Sequence, residues 1–217
     1  MAASSLAIDK RPLPGALISP SQHQWFQQLG YNPEQLAVVQ QVHGKAIKRV
    51  EHPGEWGEAD GLVSDHSDVL LGIRTADCAA IFMADPTIPA IGLFHVGWRG
   101  AQQGIVLQAI RQFHQYWRIA PEQLWVAVSP FLRSCCYRVT NEFQQYFPEA
   151  YFQHKKGKIF FRFESVLHDA LITGGIPSSH ITMSPWCTAC GELPLHSYRR
   201  ENTAQRMYHW IQIIENG

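Results

Sequence analysis

Two short apolar runs lie near the centre of the chain, at 79–83 and 90–94. The first, Ala-Ala-Ile-Phe-Met, is followed by an Asp-Pro pair, and the second leads into a glycine-rich turn. Continuous apolar runs bounded by Pro and Gly are typical of strands that are buried on both faces. If these strands pair antiparallel, the start of one lies beside the end of the other. This pairing predicts that Cys78 and His95 lie close together at one end of a sheet.

Similar patterns predict further strands on both sides of this central pair. Apolar or alternating runs cover 37–42, 45–51, 69–74, 124–128, 158–163 and 180–184. The run at 158–163 has the composition of an edge strand. The segment 52–57, His-Pro-Gly-Glu-Trp-Gly, has the composition of a loop.

Apolar residues spaced three and four apart predict helices. These helices cover 22–29, 101–117, 140–147, 165–173 and 203–214. The helix over 101–117 would begin directly after Gly100, so its first amide groups would be free to bind an anion. Residues 1–20 contain three prolines and little periodicity, which indicates an arm or an irregular lead-in.

The mixture of strands and helices shows no strict alternation. This arrangement predicts an α+β fold with mixed, largely antiparallel sheets. The chain has 217 residues, of which 46% are hydrophobic. That length and composition are sufficient for one sizeable core, so we expect a single domain over 1–217.

Charge and composition exclude several classes of partner. The formal net charge is zero and like charges form no block, so nothing indicates a nucleic-acid or anionic membrane surface. The first 15 residues lack the apolar segment of a secretory signal, and no apolar run is long enough for a membrane span. Five cysteines, an odd number, are unlike a secreted disulfide scaffold. We therefore expect a reducing cytoplasm.

Three residues are candidates for a metal centre: His43, Cys78 and His95. Two imidazoles and one thiolate are sufficient for a catalytic zinc ion with an open fourth position. Each residue also has a structural interpretation: Cys78 as a buried apolar-like thiol, His95 as a core histidine, and His43 as a loop residue. The spacing alone matches no short zinc signature.

The remaining cysteines and several arginines offer weaker signals. Cys187 and Cys190 form one Cys-x-x-Cys pair of the redox or zinc-ribbon kind, and no second such pair exists, so a four-cysteine zinc site is not available locally. The alternative is two structural or incidental thiols. Cys135 and Cys136 are adjacent, and because a disulfide between neighbours is strained we interpret them as packing residues. Three arginines are candidates for binding phosphate, namely Arg99, Arg199 and Arg200.

Six short blocks occur in the order seen in one protein family. They read Gln-Val-His-Gly at 41–44, Ala-Asp-Gly-Leu-Val at 59–63, Thr-Ala-Asp-Cys at 75–78, His-Val-Gly-Trp-Arg-Gly at 95–100, Cys-Cys-Tyr at 135–137 and Ser-Tyr-Arg-Arg at 197–200. The chain thus resembles the YfiH-like, or laccase-domain, family, whose members are also labelled multicopper polyphenol oxidases or purine nucleoside phosphorylases. The resemblance runs from about residue 36 to the C-terminus, with 1–35 as a shortened lead-in.

The resemblance implies a fold and a chemistry. The fold would be a layered α/β sandwich similar to a Cys-His deamidase toxin fold. Zinc, with copper as a possible substitute, would bind to His43, Cys78 and His95. The substrates would be purine nucleosides and phosphate: adenosine, inosine, guanosine and methylthioadenosine would be cleaved to base and ribose 1-phosphate, and adenosine would also be deaminated.

Other residues take roles within this implied chemistry. Asp77 would carry protons for the attack of water on the purine. The substrates would contact Arg99, Gly100, Tyr198 and Arg199. The laccase label fits the residues poorly, because the chain has 11 histidines and no His-x-His pair, as a trinuclear copper centre would need.

Two other functions compete with nucleoside cleavage. A metal-free cysteine hydrolase or amidase would use Cys78 as nucleophile, His95 as base and Asp77 or a backbone carbonyl as orienting group. A related variant would act on peptidoglycan precursors. A non-catalytic protein would bind nucleosides without turnover. Metal content and product analysis would distinguish the three.

Overall fold

The structure is a computed structural model that describes residues 27–202 and 204–214, together with the backbone of 2–8. The strands are β1 (Ala2–Ile8), β2 (Leu36–Gln40), β3 (Ile47–Arg49), β4 (Gly54–Glu58), β5 (Gly61–Ser64), β6 (Leu70–Thr75), β7 (Ala79–Ala84), β8 (Ile91–Val96), β9 (Trp125–Val128), β10 (Arg138–Val139), β11 (Phe152–Lys155), β12 (Lys158–Phe161), β13 (Ile181–Met183) and β14 (Met207–Ile213). The α-helices are α1 (Trp98–Gln102), α2 (Ile105–Trp117), α3 (Phe163–Thr173) and α4 (Tyr198–Glu201). Short 3₁₀ segments occur at Pro33–Gln35, Pro121–Gln123, Asn141–Tyr146, Glu149–Tyr151 and Ser178–His180.

The described strands form three sheets. A five-stranded sheet has the order β1-β14-β6-β2-β4, and a six-stranded sheet has the order β13-β9-β7-β8-β5-β3. A small third sheet has the order β10-β12-β11. Parallel pairs, such as β2 with β6, occur beside antiparallel pairs, such as β7 with β8. The predicted α+β class with mixed sheets is therefore confirmed. Among the described residues, no helix has the length and apolar character that crossing a membrane requires.

Strand β7 is buried on both faces, as its apolar run predicted. Ala80 and Phe82 pack with Leu71 and Ile211 of the five-stranded sheet. The alternate residues of β7 pack on the opposite side in the cluster that contains α2 and α3. Burying a large apolar side chain contributes about 1.5–3 kcal/mol to stability. A helix layer and a second sheet thus cover the two faces of the six-stranded sheet.

The antiparallel pairing of β7 with β8 is also confirmed. Ala79 lies opposite Val96, and Ala80 lies opposite His95. Because Cys78 directly precedes β7, it lies at the same sheet end as His95. The register therefore places a thiol and an imidazole side by side.

The predicted helix over 203–214 is wrong. Residues Met207–Ile213 form strand β14, which pairs antiparallel with both β1 and β6. Trp210 and Ile211 are 1% and 2% exposed. A central strand that is covered on both faces reads as a continuous apolar run. In so short a run, some apolar residues lie three and four positions apart by chance, as they do in a helix. The helix in this region is α4, which the pattern did not predict.

The helix over 101–117 is interrupted. Gly104 has a φ of 83°, so the chain forms α1 and then α2 instead of one helix. Helix α1 begins at Trp98, three residues before the expected start at residue 101, and Gly97 is its N-cap. The amide groups predicted to be free after Gly100 are therefore inside the helix.

Smaller differences concern the edges of the sheets. The predicted loop at 52–57 contains β4, which pairs parallel with β2. The predicted edge strand at 158–163 contains β12, which lies between β10 and β11. The predicted lead-in at 1–20 begins with β1, paired with β14. The predicted helix at 140–147 is a 3₁₀ segment, and the one at 22–29 falls largely outside the described residues.

Candidate active site

Asp60 and His95 form a buried hydrogen-bonded pair at the end of the six-stranded sheet. Asp60 directly precedes β5, and His95 lies in the neighbouring strand β8. Nδ1 of His95 lies 2.8 Å from Oδ1 of Asp60, and the amide of His95 donates to the carbonyl oxygen of Asp60 at 2.7 Å. Because Nδ1 donates to the carboxylate, it is Nε2 that can lose its proton and bind a metal ion through the lone pair.

The Asp60 carboxylate also shapes the loop that carries His43. It accepts hydrogen bonds from the amides of His43 at 2.9 Å and Gly44 at 2.6 Å. His43 has a φ of 61°, which is the left-handed region. The hydrogen bonds to Asp60 therefore offset the backbone strain at His43. They also direct the His43 side chain toward the end of the sheet.

His43, Cys78 and His95 converge. Their ligand atoms all lie within 4.8 Å of one another, and the two imidazole ring centroids are 4.8 Å apart. His95 is buried, Cys78 is partly exposed and His43 is exposed. The cluster thus has a buried base and a side that solvent can reach, as a site for substrate requires.

The protonation of the cluster follows from its contacts. Burial raises the pKa of the Cys78 thiol, but hydrogen bonds with His43 and His95 lower it, and the net pKa is about 6. Burial lowers the pKa of His95, whereas its bonds to Asp60 and Cys78 raise it to about 9. Without a metal ion, the pair is therefore a thiolate beside an imidazolium at neutral pH.

Two glycines allow the cluster to pack this closely. A Cβ atom on Gly97 would lie 2.9 Å from Sγ of Cys78 and 3.3 Å from Cδ2 of His43. A Cβ atom on Gly100 would lie 2.8 Å from the carbonyl oxygen of Gly44. Contacts under 3.0 Å would force the backbone or the ligands to move. Gly100 thus brings α1 against the His43 loop, and it lies outside the lining of the cavity described next.

The cluster opens into a cavity of about 780 Å³. Volumes of 300–1,000 Å³ are typical of small-molecule sites. Its lining includes four arginines among the described residues, namely Arg74, Arg99, Arg199 and Arg206. Asp77 is the one carboxylate among the described lining residues. The cavity is therefore suited to an anionic ligand.

Aromatic rings line part of the same cavity. Trp98, Tyr137 and Tyr198 contribute to its wall. The guanidinium carbon of Arg99 lies 4.2 Å from the centroid of the Trp98 ring. Tyr198 is 57% exposed. The wall thus combines flat rings with cations, which suits a ligand that has an aromatic base and a negative group.

The Asp77 carboxylate lines the cavity and makes several hydrogen bonds. Its φ is 83°, and its carboxylate accepts hydrogen bonds from Thr188 at 2.6 Å, Ser197 at 2.7 Å and the amide of Arg199 at 2.6 Å. These contacts attach the 188–199 segment to the start of β7. The geometry indicates that Asp77 positions Tyr198 and Arg199.

The predicted phosphate-binding arginines separate into two groups. Arg99 and Arg199 line the cavity, and Nη1 of Arg199 also donates to the carbonyl oxygen of Arg138 at 2.9 Å. Arg200 lies outside the lining, where its guanidinium bonds the carbonyl oxygen of Leu195 at 2.7 Å and the carboxylate of Glu201.

Sequence reasoning missed some residues of the site. Asp60 belongs to the Ala-Asp-Gly-Leu-Val block. Because an Asp-Gly pair indicates a turn, no chemical role was predicted for Asp60. Arg74 and Arg206 were given no ligand-binding role, because no motif indicated one. Sequence reasoning found no four-cysteine site near the Cys-x-x-Cys pair, and the distant pair completes a second cluster at Cys135, Cys136, Cys187 and Cys190.

The sequence is similar to those of several known proteins. Residues 16–214 match the family described as multi-copper polyphenol oxidoreductase laccase, a match that begins well before residue 36. The chain is 30% identical over 202 residues to "Purine nucleoside phosphorylase YlmD" of Geobacillus stearothermophilus, covering 84% of this chain and 74% of that protein. It is 23% identical over 191 residues to "Adenosine deaminase RL5" of an unknown prokaryotic organism, covering 80% of this chain and 72% of that protein.

Solved structures show the same fold. The crystal structure of YlmD from Geobacillus stearothermophilus superposes with a TM-score of 0.87 at 25% identity, over 99% of this chain and 92% of that one. The crystal structure of the Bacillus licheniformis protein YfiH gives a TM-score of 0.85 at 21% identity, over 98% and 93% of the two chains.

Proposed function

The chain belongs to the family described as multi-copper polyphenol oxidoreductase laccase, and we propose that it is a zinc-dependent purine nucleoside phosphorylase with adenosine deaminase activity. The substrates would be adenosine, inosine, guanosine or methylthioadenosine, together with phosphate. One observation carries the proposal: the His43, Cys78 and His95 cluster forms part of the lining of a cavity with four arginines and four tyrosine or tryptophan rings.

The ligand atoms of the cluster suit zinc. Two imidazole nitrogens and a thiolate with a lowered pKa are borderline ligands of the kind found in catalytic zinc sites. Nδ1 of His95 donates a hydrogen bond to the Asp60 carboxylate, and metal-binding histidines usually make a hydrogen bond of this kind. When bound to His43, Cys78 and His95, zinc supplies Lewis-acid polarisation and a lowered pKa for water.

Multi-copper chemistry suits the residues less well. The described residues contain one cluster with histidines and one built from cysteines alone. A trinuclear copper centre needs many more imidazoles in one place. Copper could replace zinc at the single His-Cys-His cluster, but this chain's ligands support one metal ion there.

Phosphate would bind against the arginine wall. Guanidinium groups pair with phosphate oxygens through two parallel hydrogen bonds. In phosphorolysis, a phosphate oxygen bonds to C1′ of the ribose while the bond from C1′ to the base breaks and the base leaves with a proton. Arg99 and Arg199 would hold the anion for this attack and stabilise its charge. Tyr198 would stack on the purine.

Deamination would use the same pocket without phosphate. Water adds at C6 of adenosine and ammonia leaves. Protons must therefore move from the oxygen of the water to nitrogen atoms of the substrate. His43 is the exposed imidazole of the cluster and faces the cavity. Asp77 would act at a distance, by holding Tyr198 and Arg199 in place through its three hydrogen bonds.

A second candidate function rests on the Cys78, His95 and Asp60 arrangement. A thiol with a pKa of about 6, an imidazole beside it and a carboxylate on the far ring nitrogen form the geometry of a cysteine hydrolase. Cys78 would attack an amide carbon, and His95 would donate a proton to the leaving nitrogen. In this function Asp60, instead of Asp77, orients the base.

The experiment combines metal content with product analysis. Purified protein is incubated with adenosine, with and without phosphate, and adenine, ribose 1-phosphate, inosine and ammonia are quantified. We expect Cys78→Ala and His95→Ala to lose the metal ion at this cluster and both activities, and the exposed His114→Ala to keep them. Full phosphorolysis by Cys78→Ala would overturn the proposal. Activity in metal-free protein that is abolished by alkylation of Cys78 would favour the hydrolase.

The setting proposed for this chemistry is the reducing cytoplasm. All five cysteines lie in the described part of the chain, and each carries a free thiol. Purine nucleosides and phosphate are also metabolites of that compartment. Thiol titration of protein isolated without reductant tests this proposal, and native disulfides would contradict it.

A further inference from the structure

Four cysteines from two distant segments meet outside the site described above. Cys135 and Cys136 lie in the turn before β10, and Cys187 and Cys190 lie in the turn after β13. Their four sulfur atoms all lie within 4.8 Å of one another, and the Sγ atoms of Cys135 and Cys190 are 3.4 Å apart. None of the four forms a disulfide.

These separations fit a tetrahedral metal site. Zinc–sulfur bonds are about 2.3 Å long, so the sulfurs of a tetrahedral tetrathiolate are about 3.8 Å apart. The ligand set is closed, because four thiolates fill the coordination sphere and leave no position for water or substrate. A site of this kind contributes to folding and has no role as a reaction centre.

The backbone around Cys187 supports a thiolate. Its sulfur accepts hydrogen bonds from the amides of Arg133, Ala189 and Cys190. The amide of Gly191 donates to the carbonyl oxygen of Cys187 at 3.0 Å, which closes the Cys-x-x-Cys turn. Tight turns that point several amides at a cysteine sulfur satisfy the charge that a metal-bound thiolate keeps.

We infer that Cys135, Cys136, Cys187 and Cys190 bind one zinc ion as a structural site that joins the 131–137 and 187–190 segments. Binding releases the proton of each thiol that is still protonated, and four zinc–sulfur bonds form. This inference does not depend on the proposed activity.

One of the two joined segments lines the cavity, and the other contacts a residue of the lining. Tyr137 directly follows the cysteine pair and lines the cavity. Thr188 lies inside the Cys-x-x-Cys turn and donates to Asp77 at 2.6 Å. Nη1 of Arg199 donates to the carbonyl oxygen of Cys136 at 3.3 Å. A metal at the cysteine cluster would therefore keep this part of the lining in place.

The first measurement is zinc content by mass spectrometry of the intact chain, expressed with zinc and purified with reductant. We expect two zinc ions per chain in the wild type and one in either Cys190→Ser or Cys78→Ser. We expect Cys190→His, which replaces one zinc ligand by another, to keep both. The two single serine variants separate this site from the His43, Cys78 and His95 cluster.

The second measurement is the absorption spectrum of the cobalt-substituted protein. Cobalt in four thiolates gives intense sulfur-to-metal charge-transfer bands, which we expect to persist in Cys78→Ser and to disappear in Cys190→Ser. Circular dichroism checks that each variant is folded, and Cys135→Ser serves as an alternative if Cys190→Ser does not fold.

Three outcomes would overturn the inference. The first is wild-type protein with only one zinc ion, lost in Cys78→Ser. The second is Cys190→Ser that keeps the cobalt thiolate bands. The third is a Cys135–Cys190 disulfide in reductant-treated protein, which would leave too few thiolates for the site.

Discussion

Oδ1 of Asp60 lies 2.8 Å from Nδ1 of His95, and both side chains are buried. The same carboxylate accepts the amides of His43 and Gly44. One acidic side chain therefore orients one candidate ligand and holds the loop of another. Burial raises the pKa of Asp60, but hydrogen bonds from His95 and the loop amides lower it, and the net shift is downward. The carboxylate thus stays charged near neutral pH.

The first prediction concerns Asp60→Asn. An asparagine keeps the shape but accepts fewer hydrogen bonds and carries no charge, so His95 loses its fixed tautomer. We expect metal affinity to fall about 10- to 100-fold. Competition with a chelator measures this affinity. The control is Asp68→Asn, whose side chain is 69% exposed. Unchanged affinity in Asp60→Asn would show that the carboxylate does not support a metal ligand.

The second prediction concerns Gly97→Ala. The added Cβ would lie 2.9 Å from Sγ of Cys78, so the sulfur or the α1 backbone must shift. Displacing a reacting group by about 1 Å costs on the order of 100-fold in rate. We expect loss of activity and metal with the thermal unfolding temperature little changed. Normal activity in this variant would contradict the packing of α1 against the cluster.

Much of the His43, Cys78 and His95 cluster could be predicted, because it depends on sequence patterns next to these residues. The two apolar runs and the Pro and Gly at their ends predicted β7, β8 and the proximity of Cys78 to His95. Asp60 could not be assigned a role, because an Asp-Gly pair is more often a turn. Its burial comes from the pairing of β5 with β8, and a partner in another strand leaves no local pattern.

Other parts depended on contacts between distant segments. Strand β14 lies between β1 and β6, so its residues are apolar on both faces and have no two-residue alternation. The second cysteine cluster joins residues about 50 positions apart. Spacing rules for zinc sites assume two similar Cys-x-x-Cys turns, and here an adjacent cysteine pair takes the place of one of them.

The third prediction concerns Arg99→Ala. Arg99 is exposed on α1 and lines the cavity beside Trp98. Removing one charged hydrogen-bond donor costs about 1.5–3 kcal/mol, so we expect KM for phosphate to rise about tenfold or more. KM for adenosine should change less. Steady-state kinetics with each substrate varied in turn measures both constants.

The control for Arg99→Ala is Arg111→Ala, an exposed arginine on α2. It removes the same charge from the protein without changing the cavity wall. Equal effects of both variants on KM for phosphate would mean that the net charge of the surface, instead of the cavity, attracts the anion.

The fourth prediction compares Asp77→Asn with Asp77→Ala. Asparagine tolerates the left-handed φ of 83° and keeps one acceptor oxygen, whereas alanine has no acceptor and adds backbone strain. We expect alanine to lower the free energy of unfolding by about 1–3 kcal/mol and asparagine by less. Activity should follow the same order. Equal loss of kcat in both, with stability retained, would instead identify Asp77 as a proton carrier.

The fifth prediction concerns His209 in the centre of β14. Burial, followed by repulsion from His95, lowers its pKa from 6.5 to about 3. Its Nε2 lies 2.8 Å from Oγ1 of Thr75, and the Phe82 ring packs near it. The folded state therefore keeps His209 neutral, whereas the unfolded chain protonates it near pH 6.5. Protonation of His209 in the unfolded chain thus lowers the free energy of unfolding as the pH falls.

The sign of this effect gives a measurable slope. Below about pH 6.5 the unfolded state binds one more proton, so stability contributed by His209 is lost as the pH falls toward 3, by at most about 1.4 kcal/mol per pH unit. We expect His209→Gln, which retains an amide for Thr75, to have a shallower decline in unfolding free energy between pH 7 and 5. Urea unfolding at several pH values measures it. The exposed His114→Gln should leave the slope unchanged, and identical slopes in wild type and His209→Gln would refute the prediction.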